Sequence, residues 1–123
     1  MADITRKEVE RLVKRRSPIK EENITALNLD KFNFEGAIFT KCKFTGSTFN
    51  GSDFAFSRFE ECIIDDCEMY GSHMQESSFI ECDLSKSDLR DCVLIEVNFR
   101  KSILHNIDFS GSFIKDSVLL NVR

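Results

Sequence analysis

The feature that most restricts the fold is a phenylalanine at every fifth position from Phe34 to Phe59. Neither a helix, with a period of 3.6 residues, nor a strand, with a period of two, places every fifth side chain on one side. Extended in both directions, the series covers twenty positions from Ile24 to Leu119, and every one is Phe, Ile, Leu or Met. A period held this long predicts a repeat architecture whose core is built from these side chains.

Two further positions follow the same period. Two residues before the large apolar residue, the seventeen positions from Ala37 to Ser117 hold nine serines, five cysteines and one alanine. All five glycines lie two residues after a large apolar position, and glycine adopts positive φ without steric conflict, so we expect a corner there. The unit is therefore a small, a polar, a large apolar, a variable and a turn residue.

This unit, as in residues 52–56 (Ser-Asp-Phe-Ala-Phe), resembles that of the pentapeptide-repeat family, Ala-Asp/Asn-Leu-X-X. The resemblance covers about residues 22–122; the family's Asp/Asn position is kept at Asn33 and Asp53, for example, and lost at Ile63. It implies an all-β fold, a right-handed quadrilateral parallel β-helix, or β-solenoid, with four units to a coil. About five coils are expected in residues 21–123.

Residues 1–20 are predicted to form an N-terminal capping α-helix. Thr5 and Glu8 have the spacing of a capping box, and Pro18 should end the helix, which we expect from about Arg6 to Arg16. A cover over the open first coil is one interpretation. Because the segment holds seven basic and three acidic residues, a helix that binds nucleic acid or a membrane remains the alternative. Residues 19–31 are expected to be an irregular entry into the repeat.

The cysteines all occupy the small-residue position, which predicts buried, reduced thiols and a cytoplasmic protein. At 20 residues per coil, Cys42, Cys62 and Cys82 fall in one column, so a metal site or disulfide is the alternative; we expect no metal and no cofactor. The sequence has no apolar run of 18 residues and no apolar leader, which predicts neither a membrane span nor a signal peptide. His73 and His105 fall at different coil positions, and no glycine-rich phosphate loop is present, so we predict no catalytic residues and no enzyme.

Charge is unevenly distributed, with a net charge of −8 in residues 21–123. Stacking at 20-residue intervals predicts outward acidic columns that are candidate partner-binding sites. The first acidic ladder comprises Glu68, Asp88 and Asp108, and the second comprises Glu76, Glu96 and Asp116. Like charges at ladder spacing repel one another, so keeping these acidic residues in register suggests that they serve to bind a partner. The alternative is an ordinary solvent-exposed face whose negative charge is partly neutralised by Arg90 and Lys115.

Phe113, Val118 and Leu120 are apolar residues at outward positions of the last coil. An outward apolar set at an end where strand edges are open indicates an association surface. We therefore predict a homodimer through the C-terminal coil, with these three residues in the interface.

The function expected from these features is that of a non-enzymatic, rigid scaffold or protein–protein interaction module whose partner is unknown. Neither direct nucleic-acid binding nor membrane binding is predicted. The resemblance implies an alternative, because some members of the family are acidic rods that mimic B-DNA and protect bacterial DNA gyrase from quinolones. The acidic ladders would suit that function, whereas the small net charge of −4 argues against it.

Overall fold

The computed structural model describes residues 2–123, and its backbone ladder repeats every 20 residues. Every strand pair and every isolated bridge joins a residue in parallel to the one 20 positions later. The elements are α1 (Arg6–Lys14), β1 (Ile19–Lys20), β2 (Ile38–Thr40), β3 (Arg58–Glu60), β4 (Ser78–Ile80), β5 (Val93–Ile95) and β6 (Phe113–Lys115). The chain is thus a parallel β-solenoid with 20-residue coils, and the predicted period is confirmed.

Four rows of bridges divide each coil into four faces. Face 1 is the sheet β1-β2-β3-β4, centred on Phe39 and Phe59. Face 2 runs through Lys43 and Ile63, and face 3 runs through Thr48 and the first acidic ladder. Face 4 contains the row that begins at Asn33 and includes the sheet β5-β6. Each face therefore presents columns of outward side chains in register.

The corners recur at every fifth residue from Arg16 to Asn121, and all have positive φ. Only five of these residues are glycine; others, such as Phe56 with φ of 59°, hold the same left-handed conformation at some steric cost. The corner amides donate along the stack, as in Lys41 N–H to Glu60 O at 2.9 Å and Phe56 N–H to Gln75 O at 2.9 Å. These ladder bonds hold non-glycine residues at the predicted corners.

The core consists of the fifth-position side chains, which are buried at all sixteen sites from Ile24 to Phe99. Phe59 lies between Phe39 and Phe79, with ring centroids 4.9 and 5.1 Å apart and nearly parallel rings. The expectation that all twenty sites are internal is wrong for the last coil. Ile114 and Leu119 are 52% and 59% exposed, because no further coil stacks on them in the described chain.

The small position is a second hydrogen-bonding column inside the core. A serine hydroxyl there typically donates to the carbonyl 23 residues earlier and accepts from the amide 20 residues earlier. Ser52 Oγ, for example, donates to Leu29 O at 2.8 Å and accepts from Phe32 N–H at 3.0 Å. Cysteine thiols donate in the same direction, as in Cys82 Sγ to Phe59 O at 3.2 Å. Small polar residues are therefore used to tie neighbouring coils together.

Helix α1 packs on the first coil. The Thr5–Glu8 capping box is present, and Val9 is fully buried against the core. Arg6 Nη1 donates at 3.1 Å to the carbonyl oxygens of Asn28 and Asp30 and so satisfies edge groups of that coil. The helix ends at Lys14, two residues before the predicted end.

The irregular entry expected for residues 19–31 is wrong. Ile19 is 4% exposed and pairs with Phe39, and the bridge row of face 3 already contains Asn28. The regular ladder therefore begins at Ile19, although Leu27 and Phe32 replace the usual small residues. Phe32 and Leu27 belong to the same apolar cluster as Val9 of α1.

Candidate partner-binding surfaces

The first acidic ladder lies on face 3, where Glu68, Asp88 and Asp108 are successive bridge partners. Its central member is paired. Arg90 donates to Asp88 through two parallel bonds, Nε to Oδ1 at 2.9 Å and Nη2 to Oδ2 at 2.8 Å. The same guanidinium lies over the ring of Tyr70, 5.5 Å from its centroid. The middle of this ladder is therefore much less negative than its sequence suggests.

The pKa of the Asp88 carboxyl is lowered, mainly because Arg90 donates hydrogen bonds to the ionised form. The pKa of Asp108 is also lowered, mainly because the Ser110 hydroxyl donates to its Oδ1 at 2.6 Å. Both groups therefore remain ionised at neutral pH. The structure places Glu68, Asp88 and Asp108 in one row, as predicted. It also shows the contact of Arg90 with this row on which the alternative interpretation depends.

The second acidic ladder lies on the corner between faces 4 and 1. Glu76, Glu96 and Asp116 have φ of 53°, 55° and 53°, so all three are corner residues, and all are exposed. Within residues 2–123 none of them forms an ion pair or accepts a hydrogen bond. Lys115, which was expected to soften this ladder, does not pair with it. This ladder is the stronger candidate for a cationic partner.

The same corner column continues toward the N-terminus through Phe56, Gly36 and Arg16. We name the whole column the corner ridge: Arg16, Gly36, Phe56, Glu76, Glu96 and Asp116. Phe56 is 55% exposed, although most phenylalanines of this chain are buried. A Cβ atom on Gly36 would lie 3.6 Å from Arg16 Nη1, so the guanidinium extends along the ridge. This continuity was not predicted from the sequence, although counting back by twenty from Glu76 reaches Phe56, Gly36 and Arg16.

The C-terminal coil has an apolar surface. Phe113, Val118 and Leu120 are 56%, 46% and 56% exposed, as expected for outward positions. Ile114 and Leu119 join them on the uncovered core side of the coil. The five side chains form a larger apolar area than the sequence predicted.

The five cysteines are free and buried. Burial raises the pKa of the Cys67 thiol to about 12 and that of Cys92 to about 11. Each thiol also lies within hydrogen-bonding distance of a main-chain carbonyl, at 3.1 Å from Phe44 O for Cys67 and 2.9 Å from Met69 O for Cys92. The five cysteines therefore serve as small buried side chains whose thiols stay protonated.

Helix α1 presents a basic outer surface. Lys7, Arg11, Lys14 and Arg15 are exposed, and in the described part of the chain no carboxylate pairs with any of them. The basic residue that faces the solenoid is Arg6, which bonds to Glu10 at 3.4 Å as well as to the first coil. Among residues 2–123, no helix has the length and apolar character needed to cross a membrane.

The comparisons with known proteins agree on the fold. A family model described as "Pentapeptide repeat region" matches residues 52–123, and another, "Pentapeptide repeats (9 copies)", matches residues 29–73. No curated protein matches the sequence. The pentapeptide repeat protein Rfr23 from the cyanobacterium Cyanothece 51142 is similar in structure with a TM-score of 0.55. It is 15% identical, over 94% of this chain and 96% of that one.

Two other solved structures have lower TM-scores. A pentapeptide repeat protein from the thylakoid lumen of Arabidopsis thaliana has a TM-score of 0.46 at 19% identity, over 92% of this chain and 72% of that one. QnrB1, a plasmid-mediated fluoroquinolone resistance protein, has a TM-score of 0.43 at 17% identity, over 83% and 65%. Together the two family models match residues 29–123, the part of the chain that forms most of the coils. This chain therefore belongs to the pentapeptide-repeat family.

Proposed function

We propose that this protein is a non-enzymatic, rigid scaffold that binds a protein partner through its acidic ladders. The observation that supports this most is the second acidic ladder, in which Glu76, Glu96 and Asp116 lie exposed without a cation. Neighbouring coils are about 4.8 Å apart, so like charges repel along the column. A basic partner surface would relieve that repulsion.

The nucleophilic side chains support the non-enzymatic part of the proposal. Serine and cysteine at the small position point inward, and their hydroxyl and thiol groups donate to main-chain carbonyls. Their chemistry is used to join coils. The five buried thiols also agree with the cytoplasmic location expected from sequence. A right-handed solenoid of about five coils remains the expected form.

Carboxylate footprinting tests this proposal directly. Carbodiimide coupling of a neutral amine would be measured by mass spectrometry in buffer and in an extract of the source cells. We expect Glu76, Glu96 and Asp116 to be protected in the extract. Glu61 and Glu81, exposed corner residues of another column, are the matched control and should react equally in both. Equal labelling of all five in the two conditions, with the protein in buffer dilute enough to be monomeric, would contradict the proposal.

The second candidate function is an acidic B-DNA mimic that binds DNA gyrase. The unpaired second ladder favours it, because three carboxylates in register form a regular row of negative charge. The Arg90–Asp88 pair in the first ladder counts against a uniformly negative rod. Gyrase supercoiling, titrated with this protein with and without ciprofloxacin, separates the two functions. Inhibition or protection that is lost when both ladders are neutralised would favour the mimic, and no effect at any salt concentration would leave the scaffold.

We further propose the homodimer through the C-terminal coil. Exposed Phe113, Ile114, Val118, Leu119 and Leu120 would be buried together about a two-fold axis, the commonest closed symmetry. The double change Phe113→Asp and Leu120→Asp should then give a folded monomer. Sedimentation equilibrium of the wild-type protein as a single species near 14.2 kDa would contradict this dimer.

A further inference from the structure

The corner ridge is complementary to itself when reversed. One end is cationic at Arg16, the third of its six residues is the exposed aromatic Phe56, and the other end holds the acidic residues from Glu76 to Asp116. We propose that the ridge is a side-by-side homodimer interface, with two copies antiparallel and Phe56 on the two-fold axis. The inference rests on the proposed function, because it names a second copy of this chain as the partner of the second acidic ladder.

The register of the ridge determines which residues meet. Coils rise by about 4.8 Å, so Arg16 lies about 10 Å from Phe56 on one side and Glu96 about 10 Å on the other. A two-fold axis through Phe56 therefore brings Arg16 of each copy to the level of Glu96 of the other. It also brings Gly36 to the level of Glu76. Because each contact occurs twice, two cation–carboxylate pairs flank one central aromatic pair.

The side chains suit this register. Gly36 has no side chain, and the guanidinium of Arg16 extends over it, which places the cation between the levels of Glu76 and Glu96 of the other copy. The cleft beside Arg16 is also lined by Lys14, Glu10 and Glu35. In a single copy of residues 2–123, neither Arg16 nor Lys14 has a carboxylate partner.

Phe56 provides the apolar centre. A phenylalanine at positive φ is sterically unfavourable, and its ring is 55% exposed. Its column neighbours, Gly36 and Glu76, cannot cover the ring with apolar side chains. Two such rings meeting at a two-fold axis would bury each other and gain an aromatic contact. This surface runs along the side of the rod, whereas the predicted C-terminal interface lies at its end.

Cross-linking tests the position of the axis. Ala55→Cys places a half-buried thiol beside the proposed axis and keeps Phe56, and the native thiols are buried and should react slowly. A short bismaleimide should convert this variant to covalent dimer. Lys86→Cys, at a corner with φ of 62° on another column, is the control and should form no covalent dimer. Equal cross-linking of the two variants would overturn the proposal.

A charge swap tests the register. Each exposed ion pair is weak, but the symmetry doubles the effect, so Arg16→Glu or Glu96→Arg should each weaken dimerisation about tenfold in low salt. The double variant should recover to within about threefold of wild type, and about 0.5 M salt should weaken the wild-type dimer. A double variant as weak as the two single changes combined would overturn the register.

Two further results would overturn this interface. One is a wild-type protein that stays monomeric at every concentration. The other is a dimer lost in the Phe113→Asp, Leu120→Asp variant and retained in Phe56→Asp, which would place association at the C-terminal end. A protein that is monomeric in buffer can still have its second ladder protected from labelling in cell extract. In that case the proposed scaffold function stands, and only the identification of the partner as a second copy fails.

Discussion

Replacing Ser57 with alanine should make the protein more stable. Ser57 is 1% exposed, and its Oγ has no hydrogen-bond partner in residues 2–123. The residue one coil earlier in this column is Ala37, so the column already accepts a methyl group. A buried polar group without a partner costs about 1–3 kcal/mol. We therefore expect Ser57→Ala to raise the free energy of unfolding by about 1–2 kcal/mol.

Ser52→Ala is the matched control, since it makes the same chemical change one corner earlier. Ser52 Oγ donates to Leu29 O and accepts from Phe32 N–H, so its removal leaves a buried amide and carbonyl without that partner. This change should lower the free energy of unfolding by about 1–3 kcal/mol. Two identical substitutions are thus expected to have effects of opposite sign.

Urea unfolding of the two variants and wild type measures both effects. The slope with denaturant should stay constant, because neither change alters the surface exposed on unfolding, and only the midpoint should move. A Ser57→Ala protein that is destabilised as much as Ser52→Ala would refute the reasoning. It would mean that the Ser57 hydroxyl has a partner in solution, such as the Phe54 carbonyl.

Four further outcomes are expected. Phe59→Ala should cost about 3–5 kcal/mol in urea unfolding, because the ring is 1% exposed and stacked on both sides; a loss below about 1 kcal/mol would contradict the core register. The free energy of unfolding should fall as pH rises above 9, because the Cys67 thiol, with a pKa of about 12, stays protonated in the folded state while the unfolded thiol ionises. Cys67→Ala should reduce this fall, and a pH profile unchanged by the substitution would show that Cys67 does not cause it. Gly71→Ala should cost about 1–2 kcal/mol by calorimetry through backbone strain alone, since a Cβ would meet no atom within 4 Å; no loss would show that this corner tolerates a side chain freely. Arg90→Gln should raise the pKa of Asp88 in an NMR titration, and an unshifted carboxyl would show that the bidentate pair does not form in solution.

The sequence predicted the repeat well because one period controls three positions at once. The buried series from Ile24 to Phe99, the corners with positive φ and the inward cysteines all follow from counting by five. Stacking at 20-residue intervals also placed both acidic ladders. These features depend only on the regular coil, which the sequence repeats many times.

Burial at the two ends of the solenoid and the pairing of individual side chains could not be predicted by counting residues. Ile114 and Leu119 keep the periodic residue type, yet they are exposed, because burial depends on a neighbouring coil and not on the residue itself. The start of the ladder at Ile19 was hidden because bulky residues pack under α1. The Arg90–Asp88 pair depends on side-chain direction, which the period does not specify.

The most direct test of the scaffold function is quantitative capture from cell extract with three immobilised proteins. One is wild type, one has both acidic ladders neutralised (Glu68→Gln, Asp88→Asn, Asp108→Asn, Glu76→Gln, Glu96→Gln and Asp116→Asn), and the control has Glu21→Gln, Glu61→Gln and Glu81→Gln in another corner column. Circular dichroism and urea unfolding would first establish that all three are folded. We predict that the proteins bound by wild type are retained by the control and lost by the ladder variant. Equal binding by all three would contradict the claim that the acidic ladders bind the partner.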